Sequence, residues 1–178
     1  PIDRVFISYI AGILKVDSPI IPSSHEVKFD YRDWYRSIIQ GSEPYISDTY
    51  QKFAEPKYNV TAYSFPIVSE SDKSLGILVL QIKTNRFLDW LKKVKIGIEG
   101  KAFIVDKTGK VIAHPDINPH SAIVDYSDQK DVKKFLSGIT GTEIIIDGNE
   151  KYISSFEALN SGWGIFTRVP LSEINKDI

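Results

Sequence analysis

Val5-Phe6-Ile7-Ser8-Tyr9-Ile10-Ala11-Gly12-Ile13-Leu14 lines up without a gap with Ala102-Phe103-Ile104-Val105-Asp106-Lys107-Thr108-Gly109-Lys110-Val111. Each copy reads as a strand, a glycine turn and a second strand. Each is followed by a variable stretch, a short amphipathic helix ending near glycine, and strands that close the unit. The helices are expected over 31–40 and 131–137, with Gly41 and Gly138 just past the last turn, where glycine is favoured. Closing strands are expected over 60–68 and 75–83 in the first unit, and over 142–146, 151–159 and 163–169 in the second. Polar turns at 69–74, 147–150 and 160–162 separate them.

Successive hairpins make an antiparallel sheet, and helices set apart from it make an α+β layer arrangement. The expected fold class is therefore α+β, with one unit over 1–85, a connecting helix over 86–96 and a second unit over 97–178. In the connector, Phe87, Leu88, Trp90, Leu91 and Val94 recur at helical spacing. Phe103, Ile104, Phe135, Ile144, Ile146, Phe156, Trp163 and Phe166 are expected to fill a closed interior in the second unit.

The 178 residues, 42% hydrophobic and 25% charged, suit one large domain or two small ones. The 22 basic and 23 acidic residues are interspersed along the chain, so no basic face for nucleic acid is visible. With no cysteine there is no disulfide framework, thiolate metal site or cysteine nucleophile. The longest apolar runs, such as Gly76-Ile77-Leu78-Val79-Leu80, are far shorter than the ~20 residues that cross a bilayer. The lack of methionine and the helix-like pattern over 171–178 suggest a segment of a longer protein.

Phe29-Asp30-Tyr31-Arg32-Asp33-Trp34-Tyr35-Arg36 places an arginine among large aromatics just ahead of a helix. An arginine between aromatic walls is suited to a carboxylate, which its planar fork meets with paired hydrogen bonds. The same residues also read as an ordinary core stripe, because Tyr31, Trp34, Tyr35 and Ile38 fall at i, i+3, i+4 and i+7. The first unit is richer in polar aromatics, with Tyr31, Trp34, Tyr35, Tyr45, Tyr50 and Tyr63. Such side chains combine apolar bulk with a hydrogen-bonding tip, which suits a pocket for a small polar molecule.

In this order, Arg32-Asp33-Trp34-Tyr35, Tyr45-Ile46-Ser47-Asp48, Phe65-Pro66-Ile67 and Gly76-Ile77-Leu78, then Gly100 through Asp106, Gly109 through Pro115 and Gly162-Trp163, the chain resembles the double Cache family. These are extracellular sensor domains of membrane histidine kinases and chemoreceptors, each built of two PAS-like units. The resemblance implies a membrane-distal unit that binds a ligand, a proximal unit that usually does not, and a C-terminal helix that passes the signal inward. It further implies a membrane-anchored full-length protein, a domain on the extracytoplasmic face that is not itself an enzyme and needs no cofactor, and room for a homodimer. In members that bind amino acids, the Arg-x-Trp-Tyr segment holds the ligand carboxylate and a later aspartate pairs with its amine. Arg32, Trp34 and Tyr35 match the first part, and Gln81 stands where the aspartate is expected. Val27 replaces a tyrosine expected five positions before the arginine.

A neutral amide cannot supply the charge that an ammonium prefers. The expected ligand is therefore a small carboxylate-bearing molecule, amino-acid-like or not, held by Arg32, walled by Trp34, Tyr35 and Tyr45, and read at its other end by Gln81 and Asp48. If 45–50 is a regular strand, Tyr45 and Asp48 point to opposite faces, and only a bulge would bring both to one pocket.

Two readings from other classes stand beside this one. His114, Asp116 and His120 are the one place where metal ligands cluster in sequence and could centre a small metal-dependent hydrolase. Pro115 and Pro119 break the spacing that would align them, which favours a surface turn and no metal. The tandem sheets could also form a protein-interaction module without a small ligand.

Overall fold

The computed structural model describes residues 2–41, 43–71 and 73–174. The chain divides into two compact units at Lys83/Thr84. The first contains β1 (Ile2–Tyr9), β2 (Leu14–Ser18), a short 3-10 turn (Pro22–Ser24), α1 (Asp33–Gly41), β3 (Tyr45–Ile46), β4 (Tyr50–Gln51), β5 (Asn59–Val68) and β6 (Ser74–Lys83). Its sheet runs β2-β1-β6-β5-β3, all antiparallel, with β4 also on β5. Asp72, in the expected 69–74 turn, lies outside the described residues.

The second unit contains α2 (Asn85–Leu91), β7 (Lys101–Val105), β8 (Val111–Ala113), α3 (Lys130–Leu136), β9 (Gly141–Asp147), β10 (Glu150–Ala158), β11 (Gly164–Pro170) and α4 (Leu171–Ile174). Its order, β8-β7-β11-β10-β9, repeats that of the first. The rest of the helix expected over 171–178, residues 175–178, lies outside the described residues. No helix among the described residues is long and apolar enough to cross a membrane.

The repetition extends to single hydrogen bonds. Ser8 pairs with Leu14 in the first hairpin and Val105 with Val111 in the second. Phe29 N–H donates to Gly12 O at 2.8 Å, and Tyr126 N–H to Gly109 O at 2.9 Å. Gly12 and Gly109 have φ of +82° and +90°, and a Cβ on either would approach the following segment at 3.1 Å from Asp30 or 2.8 Å from Ser127. Both demands select glycine at this turn.

Alternation along the strands sets the two cores. In β1 the buried residues are Arg4, Phe6 and Ser8, and in β6 Ile77, Val79 and Gln81 face the same way. α1 closes this face with Trp34 and Ile38, the fully buried members of the predicted stripe. Tyr31 is half exposed, so the stripe is narrower than its spacing implies. In the second unit Phe103, Phe135, Phe156 and Phe166 pack together, with Phe166 stacked between Phe103 and Phe156. α2 lies against β7 and β8, and its Phe87 meets Trp163 edge-on at 5.3 Å.

Two expectations for the second unit are corrected. Ile144 and Ile146 are exposed, at 52% and 70%, and the inward residue of β9 is Ile145. A run of three isoleucines carries no alternation, so pairing with β10 decides: Ile145 lies opposite Tyr152, on the face shared with Ser154 and Phe156. Nor is the unit closed by apolar side chains alone, since a polar cleft of about 200 Å³ opens beside Phe103.

Gly76 has no room for a side chain, because a Cβ would sit 2.6 Å from Ser8 O, a backbone atom on the neighbouring strand. Gly76→Ala is expected to destabilise by ~1–3 kcal/mol and lower the melting temperature by several degrees. At Gly41, where a Cβ would meet nothing within 4 Å, alanine should be neutral or slightly stabilising. Thermal melts of the two variants check the contrast.

Candidate functional site

The first wall of the site comes from a bulge. Ile46 pairs with Tyr63 and Tyr50 with Val60, so residues 47–49 face only Thr61 and Ala62 on β5. Ser47 fastens the bulge, donating its N–H to Ala62 O and accepting the Ala62 N–H at Oγ, both at 2.8 Å. The extra residue turns Tyr45 and Tyr50, which a regular strand would separate, onto the inner face. The bulge anticipated for Asp48 thus exists, and it is Tyr50 that it delivers to the interior.

The floor is an ion pair. Arg4, 3% exposed, is held by the fully buried Asp17 carboxylate, with Arg4 Nε 3.0 Å from Asp17 Oδ2. Arg4 Nη2 also donates to Asp17 and to Ser24 Oγ, the latter at 2.6 Å. Asp17 takes two further bonds, from Ile21 N–H at 3.0 Å and His25 Nε2 at 2.5 Å. Burial raises the pKa of Asp17, but the bonds from His25, Arg4 and Ile21 outweigh it, leaving the carboxyl below its ordinary value.

Above this floor the inward residues enclose a cavity of about 10 Å³, roughly one water. Arg4, Phe6, Leu14, Phe29, Arg32, Trp34, Tyr50, Phe53 and Gln81 line it. Gln81 lies beside Arg4 in the β1–β6 register, and its Nε2 donates to Tyr50 Oη at 2.9 Å. Burial pushes the Tyr50 hydroxyl up to about 12, so it is neutral. Gln81 Oε1 and Trp34 Nε1 are buried with no hydrogen bond of ordinary geometry among the described residues, the indole N–H lying toward the Tyr50 hydroxyl. An unmet buried polar atom costs ~1–3 kcal/mol, so a pair of them in one cavity calls for a complement.

Arg32 covers the outer side. Its guanidinium stacks over Tyr50 at 4.1 Å and Tyr31 at 5.0 Å, and its only polar contact among the described residues is a 3.3 Å bond to Gln51 O. Phe53, 39% exposed, closes the same side with its ring edge-on to Phe29 at 5.5 Å.

Of the residues singled out in sequence, Arg32, Trp34 and Gln81 meet in this cavity. Tyr35 packs on the same core with its hydroxyl bonded to Ile10 O at 2.7 Å. Tyr45 packs beside it, its hydroxyl 3.5 Å from Asp33 Oδ2, and Asp48 donates its N–H to that same oxygen at 2.6 Å. Asp33 therefore ties the start of α1 to the bulge. Arg4 was missed, although a cation alternating with Phe6 and Ser8 on a strand is a readable sign of a buried charge.

In the second unit, His114 Nδ1 accepts the Asp116 N–H at 3.1 Å, Asp116 pairs with Lys101, and the His120 N–H is taken by Asn118 Oδ1 at 2.9 Å. Among the described residues no three His, Asp or Glu side chains are grouped to hold a metal ion.

Two tandem units of this topology, one enclosing unmet polar atoms behind an arginine, have the architecture of a ligand-binding sensor domain. Residues 2–178 match the Cache domain family, and the chain belongs to it in its double form. The methyl-accepting chemotaxis protein McpA of Bacillus subtilis (strain 168) is 30% identical over 147 residues, covering 82% of this chain and 21% of McpA. The chain thus spans about a fifth of the length of the curated relatives it matches. The ligand-binding domain of the Pseudomonas aeruginosa PAO1 amino acid chemoreceptor PctB, in complex with L-Arg, superposes with a TM-score of 0.77 at 18% identity, covering 99% of this chain and 69% of that one. The extracellular domain of rpHK1S-Z16, a protein assigned to the histidine kinases, gives 0.79 at 14% identity, covering 98% and 73%.

Asp17 has its pKa lowered by folding, so its stabilisation is complete above its ordinary value near 4 and is lost as pH falls through the folded value. Asp17→Asn should cost ~3–5 kcal/mol by leaving Arg4 buried without its carboxylate. It should also flatten the fall in melting temperature between about pH 5 and 2. Melts across that range check both.

Proposed function

We propose that the chain is the exocytoplasmic sensor region of a membrane-anchored signal transducer of the chemoreceptor type, and that its first unit, the membrane-distal one, binds a small carboxylate-bearing molecule. The observation that carries this reading is the meeting of Arg32 with the unpartnered Trp34 Nε1 and Gln81 Oε1 around one cavity. The guanidinium and the indole N–H both donate, so together they suit a carboxylate. Gln81 and the neutral Tyr50 hydroxyl can then take a hydroxyl or amide at the ligand's far end.

Charge narrows the class further. Arg4 is balanced by Asp17, while Gln81 and Tyr50 are neutral, which leaves Arg32, among the described residues, as the one unbalanced charge in the lining. A ligand of net charge −1 fits that balance better than a zwitterion. PctB is an amino acid chemoreceptor, and the ligand-binding domain of Mlp24 is solved with asparagine. This chain departs from an ammonium site at Gln81.

A cavity the size of one water admits no such ligand without moving its cover. Arg32 and Phe53 are the lining groups with least to lose, since both are partly exposed and held mainly by ring contacts. Binding therefore involves their outward shift and re-closure over the ligand, a local rearrangement of the kind sensors transmit.

Arg32→Ala should weaken binding of the best carboxylate in a metabolite panel at least tenfold and leave the melting temperature of the free domain nearly unchanged. Titration calorimetry reads the first and a thermal melt the second. Undiminished binding would reduce the motif to a core stripe. Gln81→Asp should shift preference toward ligands carrying an ammonium beside the carboxylate, measured on the same panel. Trp34→Phe, which removes an N–H with no hydrogen bond of ordinary geometry among the described residues, should cost more in ligand affinity than in stability.

A further inference from the structure

The repeat that built the fold also repeated the pocket. Extended by one residue, the gapless alignment pairs Arg4 with Lys101 and Phe6 with Phe103, and it continues through Phe29 with Tyr126. The rungs agree, since Arg4 lies opposite Gln81 in the first sheet and Lys101 opposite Arg168 in the second. Arg4, Phe6, Phe29 and Gln81 line the first cavity, and their counterparts Lys101, Phe103, Tyr126 and Arg168 line a cleft of about 200 Å³ in the second unit. We propose that this cleft is a second binding site, which takes a small carboxylate on the Lys101–Arg168 rung.

The chemistry of the rung supports an anion. Arg168, only 7% exposed, gives Nε and Nη2 to Asp131, with Nη2 also reaching Gln129. Its Nη1 keeps only a 3.4 Å contact with Asp147, whose side chain is 57% exposed. Lys101 is held by Asp116 across an exposed pair. The Lys101–Asp116 pair is exposed on both sides and exposed pairs contribute little, so Lys101 can exchange Asp116 for a ligand carboxylate at small cost, beside the one long Arg168 Nη1 contact. His114 adds a donor. Its Nδ1 accepts the Asp116 N–H, so in the neutral ring the proton sits on Nε2, and burial holds its pKa below the ordinary value. Tyr126 and Phe103 supply the apolar walls, and Arg168 stacks on both.

This site does not depend on the reading of the first cavity, and the test separates them. Sodium acetate, L-lactate and succinate are titrated into the whole 178-residue chain against sodium chloride at matched ionic strength, following the His114 and Tyr126 ring signals by NMR. Three proteins are compared: the natural sequence, Arg32→Ala and Lys101→Gln. At least one carboxylate should give saturable shifts at His114 in the natural protein, unchanged in Arg32→Ala and at least tenfold weaker in Lys101→Gln. Lys101 is a half-exposed side chain, and a dispersed spectrum confirms that its variant is folded. Shifts no larger than with chloride, shifts abolished by Arg32→Ala, or full affinity in Lys101→Gln would each overturn the proposal.

Discussion

A guanidinium buried in a small domain must be met by a carboxylate, because an unpaired buried charge costs several kcal/mol. Each unit meets this demand once, and the side from which the carboxylate comes decides what kind of interior results. In the first, Asp17 reaches Arg4 from the neighbouring strand β2, within the sheet, and the Ser24 turn and His25 complete its bonds. The space between sheet and helix is left to apolar side chains and a cavity of about 10 Å³. In the second, Asp131 reaches Arg168 from α3, the covering helix, with Ser154 as its further partner at 2.7 Å. The gapless alignment places Asp131 at the position of Trp34, so the second unit fills with its own ion pair the place where the first holds an unmet indole N–H.

On the readings proposed above, this difference would let one topology hold two distinct recognition chemistries. In the first unit the deep position holds the Trp34 indole and the cation sits at the mouth, on Arg32. In the second the deep position is occupied by the Asp131–Arg168 pair, and Lys101 and Arg168 Nη1, held by Asp116 and Asp147, border a larger cleft of about 200 Å³. The buried pair also ties the second core together, since Arg168 stacks on Phe103 at 4.7 Å while bonded to α3. The first unit forgoes that bond, and ligand binding would supply part of what is missing, which couples occupancy to local stability by mass action.

The fold was legible in the sequence where local rules act alone. The glycine turns, the alternation in β1 and β6 and the short helices follow from periodicity and turn chemistry, and the strand order repeats as the aligned hairpins imply. What was not legible needed a partner strand or a distant charge. The orientation of Ile144, Ile145 and Ile146 is set by β10, since three like residues carry no phase of their own. The bulge at 47–49 shows only in the register against β5, and it alone puts Tyr50 rather than Asp48 on the cavity. Arg32, Trp34 and Gln81 were readable as a group through the family pattern. The alternation of Arg4 with Phe6 and Ser8 signals a buried charge, but its pairing with Asp17 was not legible, because it is made through the sheet rather than through any motif.

Gln81 is best understood through this last pair. It lies directly beside Arg4, and a carboxylate there would be offered the same guanidinium that Asp17 already satisfies. A negative charge at position 81 is therefore useful only when a ligand brings a cation to meet it, and otherwise competes with the bond that holds β2 and the Ser24 turn in place. A neutral amide avoids the competition. It bonds Tyr50, leaves the Arg4–Asp17 pair undisturbed, and turns one polar atom to the cavity without adding charge. The identity of this one side chain thus links the stability of the ligand-free sheet to the charge of the ligand the sheet can accept.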